Sequence, residues 1–450
     1  MFVSPGGFNF GMSRKPKIIV IDDDPTGSQT VHSCLLLMRW DVSTLCLGLR
    51  DTAPIFFILT NTRALPPEAA NAVTKEVCQN LKLALNTEAI EDFLVVSRSD
   101  STLRGHYPIE TDVIAQELGN FDAHFLVPAF FEGGRITRDS VHYLIIDGVP
   151  TPVSETEFAK DSVFGYRYSY LPKYVEEKTN GCIPEKSIER FLLADIRSDS
   201  QARLMKLTNN QCCVVDGEIQ KDLDMFARDV LATASRGKKF LFRSAASILT
   251  ALAALPPQKI AAEKMAVYVR QGSTGVIIVG SYVRNTNQQL EKLLQAEGLC
   301  GIEVDVSKLL NGENILKDLI ELTLAMVYQA HAEGKTSVIY TSRRELTFPG
   351  VEARLEFGSQ VSNVLTKIVR RLPHDIGFLI SKGGITSNDI LSKGLDLTSV
   401  QLLGQILAGC SVVITPDDHS TFPNLPIVLF PGNVGSSDAL ASVYQQLIKH

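Results

Sequence analysis

Residues 17–27 read KIIVIDDDPTG, an apolar run that leads directly into three aspartates, a proline, a threonine and a glycine. A short, continuous apolar run is typical of a strand that is buried on both faces of a parallel sheet. In open α/β sheets, ligands bind at the carboxyl ends of the strands. This one stretch therefore predicts both an α/β fold and the position of its site.

Working outward from this stretch, further apolar runs alternate with segments of helical length. In the first half, the runs lie at 55–59, 93–97, 124–128, 212–216 and 239–243, with helices at 66–85 and 109–118. A Pro-Pro pair at 256–257 marks a junction. Beyond it the runs lie at 276–280, 303–306, 338–341, 377–380, 412–415 and 427–430, with helices at 287–297, 315–331 and 360–371.

This alternation predicts an α/β fold of two domains, each a largely parallel sheet flanked by helices, with the active site in the cleft between them. We place an N-terminal extension at 1–16, a first domain at 17–255 and a second at 256–450. The extension has its basic residues after the apolar ones, so it does not have the pattern of a signal peptide.

Composition excludes several classes of function. The chain is 45% hydrophobic and 21% charged, as in a folded globular protein, and its net charge of −6 argues against a nucleic-acid partner. No apolar run approaches the roughly 18 residues of a membrane span. The eight cysteines form no C-x-x-C pair, which favours a reducing cytoplasm.

The three acids after the first strand, Asp22, Asp23 and Asp24, repel one another unless a cation or a hydrogen-bonding ligand offsets their charge. The alternative is an Asp-rich helix cap, because Asp favours caps and Pro favours the first helical position. The complete D-D-x-T-G pattern, which ends in Thr26 and Gly27, favours a ligand site.

Two more strand exits in the first half carry anion-binding side chains. The segment 97–106 reads SRSDSTLRGH and holds Arg98, Asp100, Ser101, Arg104 and His106, more polar groups than a connecting loop needs. Arginine suits the clamping of a planar carboxylate. Weaker signals come from Arg135, which follows paired glycines, and from Arg63. The alternative for each is a solvated loop.

In the second half, glycines and hydroxyls follow the strands instead of acids. Three turns, at 280–281, 381–387 and 431–437, precede helices and offer backbone N–H groups to phosphate oxygens. The Walker pattern and the strand-linked G-x-G-x-x-G are absent, as are zinc spacings and a G-x-S-x-G elbow. We expect no resident metal site, and Mg²⁺ would arrive with the nucleotide.

These segments resemble the four-carbon acid sugar kinases, whose members include threonate, erythronate and 3-oxo-tetronate kinases, along almost the whole chain. The motifs in the first half are residues 23–27, 100–105, 128–130, 134–135, 152–153, 157–158 and 161. In the second half they are 280–281 with Thr286 and Gln289, 383–384 with Thr386, Gly404, Gly409, 432–433 and Gly435. The chain departs from the family pattern at Thr30, Arg98, Ile385 and Phe430.

The resemblance implies that the first domain binds a sugar acid, that the second binds ATP, and that phosphoryl transfer reaches the terminal hydroxyl in the cleft. Asp23 or Asp24 would act as base or hold Mg²⁺, and Arg104, with Arg135 or Arg98, would grip the carboxylate. Further substrate contacts are expected from Thr26, Gly27, Arg63, Asp100, Ser101 and His106. Nucleotide contacts are expected from Gly280, Ser281, Thr286, Gly383, Gly384, Thr386, Gly404, Gly432, Asn433 and Gly435.

Other functions stay open on sequence alone. An NAD(P)-dependent hydroxyacid oxidoreductase would share the α/β fold and an arginine clamp, and a non-catalytic sugar-acid-binding protein would need no nucleotide. A ribokinase-like kinase is disfavoured because no late G-A-G-D pattern occurs. The sequence leaves the identity of the sugar acid open, and a homodimer is one assembly it allows.

Overall fold

The structure, a computed structural model, describes residues 16–270, 274–281, 283–311, 313–343 and 351–449. All but the last residue of the predicted N-terminal extension lies outside these ranges. The strands are β1 (Lys17–Asp22), β2 (Cys34–Leu37), β3 (Ile55–Leu59), β4 (Phe93–Arg98), β5 (Ala123–Val127), β6 (Arg135–Arg138), β7 (Val141–Ile146), β8 (Val149–Pro152), β9 (Glu189–Phe191), β10 (Gln211–Val215), β11 (Phe240–Ser244), β12 (Val276–Val279), β13 (Leu299–Val304), β14 (Thr336–Thr341), β15 (Leu379–Lys382), β16 (Ser399–Leu407), β17 (Cys410–Ile414) and β18 (Pro426–Phe430).

Helices cover the strands and connect them. They are α1 (Val42–Arg50), α2 (Pro67–Thr87), α3 (Ile109–Leu118), α4 (Leu171–Lys178), α5 (Leu193–Ile196), α6 (Gln201–Leu204), α7 (Gln220–Ala234), α8 (Ser247–Ala253), α9 (Arg284–Leu293), α10 (Glu313–Ala332), α11 (Val351–Val369), α12 (Gly384–Asp389) and α13 (Ala439–Ile448). No helix in the described part of the chain combines the length and the apolar composition that a bilayer span requires.

Each predicted run overlaps an observed strand, and most of these strands are buried on both faces, as their apolar composition favours. The run predicted at 303–306 is shifted: β13 covers Leu299–Val304, and Glu303 on it is exposed. In β1, Ile18 and Val20 pack into one hydrophobic core while Ile19 and Ile21 pack into another on the opposite face. This alternation follows from the period of two in a strand. Complete burial of each such side chain contributes roughly 1.5–3 kcal/mol, which explains the apolar composition of these strands.

The helix α2 begins with a proline at its first helical position, where the missing N–H costs nothing. Its buried residues recur at helical spacing and face the sheet: Ala70, Thr74, Val77, Cys78, Leu81, Ala84 and Leu85. The predicted crossover helix therefore forms where its periodicity places it.

The α/β layers of the two halves share one continuous sheet. Its 15 strands run in the order β13-β14-β12-β15-β18-β17-β16-β2-β3-β1-β4-β11-β5-β10-β9, beside a separate β6-β7-β8 sheet. The two halves join where β2 pairs antiparallel with β16, with Leu36 opposite Val400. The sequence pattern predicts two separate sheets, and neither β2 nor β16 is among the predicted strands, so this junction is a feature of the tertiary structure.

The junction determines how the strand ends of the two halves meet. The pairings β2–β16, β16–β17 and β17–β18 are all antiparallel, so the parallel strands of one half run opposite to those of the other. Neighbouring strands twist by roughly 20–25°. Over the six steps from β1 to β15 this rotation exceeds a right angle, which allows ends from opposite edges to face each other.

The segment after α8 packs against the joining strand. The side-chain amide of Gln258 donates through Nε2 to the carbonyl oxygen of Gln405 (3.1 Å), and its Oε1 accepts from the N–H of Gln405 (2.7 Å). The predicted domain boundary at 255/256 lies in this segment and stays a prediction.

Candidate active site

The three aspartates at the end of β1 have different surroundings. The residues Asp22 and Asp23 are 0% and 2% exposed, whereas the side chain of Asp24 is 21% exposed. A strand turns successive side chains to opposite faces, and the loop that follows places the third one toward solvent. Only Asp24 is therefore open to a ligand from the cleft.

The carboxylate of Asp23 is occupied by partners from two neighbouring strand exits. Its Oδ2 accepts from Nε of Arg63 (3.2 Å) and Oγ of Ser99 (2.6 Å), and its Oδ1 accepts from Nη2 of Arg63. Burial opposes ionisation, but the charge and hydrogen bonds of Arg63, with Arg243 and Arg98 nearby, hold the pKa of Asp23 below its ordinary value. An acid so firmly ionised and bonded is a weak proton acceptor.

The carboxylate of Asp22 lies beneath the loop. Burial raises its pKa to about 7, while Nη1 of Arg98, 3.3 Å from Oδ1, opposes that rise. Its Oδ2 has no hydrogen-bond partner within the described ranges, and a Cβ on Gly27 would collide with it. Gly27, predicted to contact a ligand, instead packs directly against the carboxylate of Asp22. Arg98, also predicted to contact a ligand, forms a buried ion pair with Asp22.

Two buried residues that sequence analysis missed support this layer. Nη1 of Arg243 donates to Glu110 Oε2 (2.6 Å) and to Ser97 Oγ (2.8 Å), and Nη2 donates to Ser99 Oγ (2.8 Å). The side chains of Arg243 and Glu110 are 5% and 4% exposed. Arg243 is the next-to-last residue of β11, as Arg98 is the last residue of β4, so the rule of polar residues at strand exits could have identified it.

The loop after β4 builds the wall of a small cavity. Nε of Arg104 donates to Asp100 Oδ2 (2.7 Å), and its guanidinium lies 4.9 Å from the ring centroid of Phe158. The pKa of Asp100 is held well below its ordinary value because Arg104 and Arg63 outweigh the effect of its burial. The cavity is lined by Ser99, Asp100, Leu103, Arg104, Leu126, Pro128, Tyr174, Arg243 and Ser244.

A second arginine, Arg135, lies near this pair. Its Nη1 donates to the carbonyl oxygen of Gly133, and its Nε has no hydrogen-bond partner in the portion of the chain that is described. Burial lowers its pKa, which Asp100 opposes and Arg104 reinforces. This guanidinium therefore has hydrogen-bonding capacity left for a ligand.

Other predicted substrate residues lie in the walls. His106 is 4% exposed, and its Nε2 lies 3.1 Å and 3.0 Å from the carbonyl oxygens of Thr62 and Leu65, so its ring is engaged by the backbone. Ser101 is 7% exposed, and its carbonyl oxygen is bonded to Nε2 of His142. The hydroxyl of Thr26 donates to Oδ1 of Asp24.

The glycine turns of the second half converge. A Cβ on Gly280 would collide with Oγ1 of Thr386, and a Cβ on Gly383 would lie 3.1 Å from Cβ of Ser281. Gly383 has φ of 120°, a conformation that L side chains rarely adopt. The exits of β12 and β15 are therefore packed as closely as glycine permits.

The exit of β18 joins the same cluster. Oγ1 of Thr286 donates to Oγ of Ser281 (3.1 Å) and to the carbonyl oxygen of Gly432 (3.2 Å). Nε2 of the buried Gln289 donates to the carbonyl oxygen of Gly435 (3.3 Å), while Asn433 is exposed. Gly404 is elsewhere: it lies inside β16 and is packed against Gln258.

Two cations of this region were missed by sequence analysis. Nη1 of Arg343, just after β14, donates to the carbonyl oxygen of Ser281, and its Nη2 donates to that of Val279 (3.2 Å). The other is Lys382, the last residue of β15, which is fully buried. Both lie at strand exits, which is the sequence signal that could have identified them.

The two clusters face each other across one cleft. Oδ2 of Asp24 lies 3.1 Å from the position that a Cβ on Gly384 would occupy. Nη1 of Arg63 lies 3.5 Å from the same carboxylate oxygen. An acid of the first half therefore meets a glycine turn of the second half.

The described ranges contain no group of three or more His, Cys, Asp or Glu side chains that could hold a metal ion. Mg²⁺ is commonly bound by one or two carboxylates together with substrate phosphates. Oδ2 of Asp24 fits that role because its side chain is partly exposed and faces the glycine turn.

Comparison with known proteins agrees with this division. Residues 18–252 match the family model of a sugar-binding N-terminal domain, and residues 276–440 match that of a nucleotide-binding C-terminal domain. A D-erythronate kinase of Heliobacterium modesticaldum is 25% identical over 461 aligned positions, which cover 96% of this chain and 97% of the relative.

Solved structures share the fold. The Haemophilus influenzae protein HI1011 superposes with a TM-score of 0.63 at 17% identity, over 96% of this chain and 100% of that one. A Salmonella typhimurium LT2 protein, provisionally named a tRNA synthase, gives 0.68 at 17% identity, over 96% and 98%. With its two domain matches and its full-length relative, the chain belongs to the four-carbon acid sugar kinase family.

Proposed function

We propose that this protein is an ATP-dependent kinase that phosphorylates the terminal hydroxyl of a four-carbon sugar acid. The observation that carries the proposal is the position of Asp24 opposite Gly384, between an arginine-rich cavity and the glycine turns. The relative named D-erythronate kinase and the match to a nucleotide-binding domain support the same reaction.

In this proposal the carboxylate of the sugar acid binds to Arg135 and Arg104. Nε of Arg135 has a hydrogen bond to give, and the side chain of Arg104 is 26% exposed at the cavity wall. Two charge-assisted hydrogen bonds would fix the acid end of the substrate. Arg98, which was a third candidate, is already paired with Asp22 and instead orients the aspartates.

Asp24 then acts at the other end of the substrate. Its Oδ1 is held by Thr26, which leaves Oδ2 to accept the proton of the attacking hydroxyl or to hold the Mg²⁺ that accompanies ATP. Phosphoryl transfer depends mainly on positioning and on charge neutralisation. Asp23 supplies a fixed charge that orients Arg63 beside Asp24.

The triphosphate would lie along the glycine turns at 280–281, 383–386 and 432–433. The N–H groups of tight turns at helix starts bind phosphate oxygens. Mg²⁺, when bound, would neutralise charge on the transferring phosphoryl group. The eight cysteines are all unpaired, which supports a reducing compartment, and we infer the cytoplasm. Assembly as a homodimer stays a prediction.

The test is an ATP-consumption screen with Mg²⁺ over four-carbon and five-carbon sugar acids of both configurations. We expect ADP release with at least one four-carbon acid and a phosphomonoester on its terminal carbon. A parallel thermal shift with ATP and NAD(P) separates kinase from oxidoreductase, because saturating ligand stabilises by about 2.7 kcal/mol at 100 times its Kd. Stabilisation by NAD(P) alone, without turnover of ATP, would refute the proposal.

A further inference from the structure

The side chain of Lys382 makes an unusual set of contacts. It ends β15 and is fully buried. Its Nζ donates to the carbonyl oxygens of Pro431 (2.5 Å) and Gly432 (3.2 Å) and lies 4.1 Å from the ring centroid of Phe430. The lysine of one strand exit is thus fastened to the glycine turn of the next.

No carboxylate within the described ranges pairs with this ammonium. The titratable group that faces it is the thiol of Cys410 on β17, whose own pKa burial raises to about 12, so the thiol is neutral. The acid of α12, Asp389, is instead bonded to Ser362 (2.5 Å) and Lys393 (2.9 Å). β12 and β18 contribute apolar residues only.

An unpaired buried ammonium destabilises the ligand-free protein, because a buried charge needs an opposite charge to offset its lost hydration. The buried arginines of the first half obey this rule: Arg98 faces Asp22, and Arg243 faces Glu110. Lys382 departs from it at the edge of the proposed phosphate site. This location suggests that the missing counter-charge comes from the ligand.

The carbonyl contacts explain how the lysine would act. In a planar trans peptide the C=O and the N–H point in opposite directions. The carbonyl of Pro431 shares its peptide with the N–H of Gly432, and the carbonyl of Gly432 shares its peptide with the N–H of Asn433. Holding both oxygens against Nζ directs both N–H groups away from Lys382.

We propose that Lys382 is a positioning residue of the nucleotide site: it fixes the Gly432 turn so that two N–H groups face the polyphosphate, and the polyphosphate supplies the counter-charge of its ammonium. This inference rests on the proposed ATP-dependent function. Nucleotide binding and protonation of Lys382 are then coupled.

The direction of the coupling follows from burial. Burial lowers the pKa of Lys382 to about 7, so the free protein loses this charge as the pH rises above neutrality. A bound polyphosphate favours the charged form and raises that pKa again. By linkage, ATP binding should take up a proton at pH 8, and ATP affinity should fall as the pH rises.

The experiment uses the full chain and titration calorimetry with Mg-ATP in two buffers of different ionisation enthalpy, at pH 6.5 and pH 8. For the wild type we expect uptake of about one proton per ATP at pH 8 and little at pH 6.5. For Lys382→Met we expect that uptake to vanish and the Kd for ATP at pH 6.5 to rise roughly 10- to 100-fold. The KM for the sugar acid should stay unchanged.

Lys335→Met is the matched control, because Lys335 is an exposed lysine of the same half that pairs with Glu333. Protons of the nucleotide itself titrate equally in all three proteins, so the difference between wild type and Lys382→Met isolates the lysine. Equal proton uptake in wild type and Lys382→Met would overturn the inference and leave the kinase proposal intact. Failure of the wild type to bind ATP would overturn both.

Discussion

Oδ2 of Asp24 lies 3.1 Å from the position that a Cβ on Gly384 would occupy, so these two residues from opposite halves of the chain share one cleft. Any ligand bound at this point of the cleft must fit between a carboxylate and a glycine turn.

Gly384→Ala should lower kcat while the fold survives. Gly384 has no positive φ, so the backbone accepts alanine, but the methyl group would crowd the carboxylate of Asp24. We expect kcat to fall by about tenfold, which corresponds to about 1.4 kcal/mol of transition-state stabilisation. Gly358→Ala is the control, because a Cβ there meets nothing within 4 Å, and its kcat should stay at the wild-type value.

Asp24→Asn should abolish most turnover. The amide can still accept the hydrogen bond from the N–H of Thr26, but it can neither take a proton nor offset Mg²⁺. Loss of a general base costs on the order of 10²–10⁴ in rate. Steady-state kinetics at saturating sugar acid and ATP measures this, and a kcat within threefold of wild type would exclude Asp24 from the reaction.

Arg135→Met should weaken binding of the sugar acid selectively. A hydrogen bond to a charged group is worth roughly 1.5–3 kcal/mol, so we expect its KM to rise about 10- to 100-fold with little change in the KM for ATP. Arg138→Met removes an exposed arginine of the same strand that pairs with Glu218, and it should behave as wild type. Equal KM increases for both substrates would contradict the assignment.

Glu110→Gln should destabilise the protein far more than Glu321→Gln. Both glutamates lie 2.6 Å from an arginine, but the Arg243–Glu110 pair is buried and the Arg371–Glu321 pair is exposed. Breaking a buried pair costs roughly 3–5 kcal/mol, whereas exposed pairs contribute about 0–1 kcal/mol. Urea denaturation of both variants tests this, and similar midpoints would show that burial does not govern the difference.

Asp22→Asn should change how stability depends on pH. Because burial raises the folded-state pKa of Asp22 to about 7, the folded protein keeps a proton that the unfolded chain releases near pH 4. The stability that this proton contributes is present below pH 4 and is lost as the pH rises to 7. Relative to wild type, the variant should therefore gain stability over that window, by roughly 4 kcal/mol at most.

Denaturation at pH 4, 5.5 and 7 measures this gain. Asp396→Asn, which removes an exposed partner of Arg39, serves as the control and should run parallel to wild type. A variant at position 22 whose stability curve also runs parallel to wild type would show that folding does not raise the pKa of Asp22.

Much of the fold and part of the site could be predicted from sequence because the relevant signals are local. Runs such as Ile55–Leu59 encode doubly buried strands by composition alone. Parallel strands present their carboxyl ends at one edge of a sheet. The sequence therefore predicts that Asp24 lies near Arg104 in the first half and that Gly280 lies near Gly383 in the second. The same rule would have found Arg243 and Lys382 had it been applied to every strand exit.

Local sequence patterns thus predict most strands of the large sheet, the two chemically distinct halves and the segments that carry their polar groups, but neither β2 nor β16. Only the tertiary structure decided which of three adjacent aspartates is open, that Arg98 faces Asp22, that Gly404 lies outside the glycine cluster, and that Asp24 meets Gly384. The reason is the distance along the chain over which each feature is encoded. A strand depends on the composition of a few neighbouring residues, whereas burial, strand pairing and ion pairing depend on contacts between residues far apart in sequence, such as those that join β2 to β16.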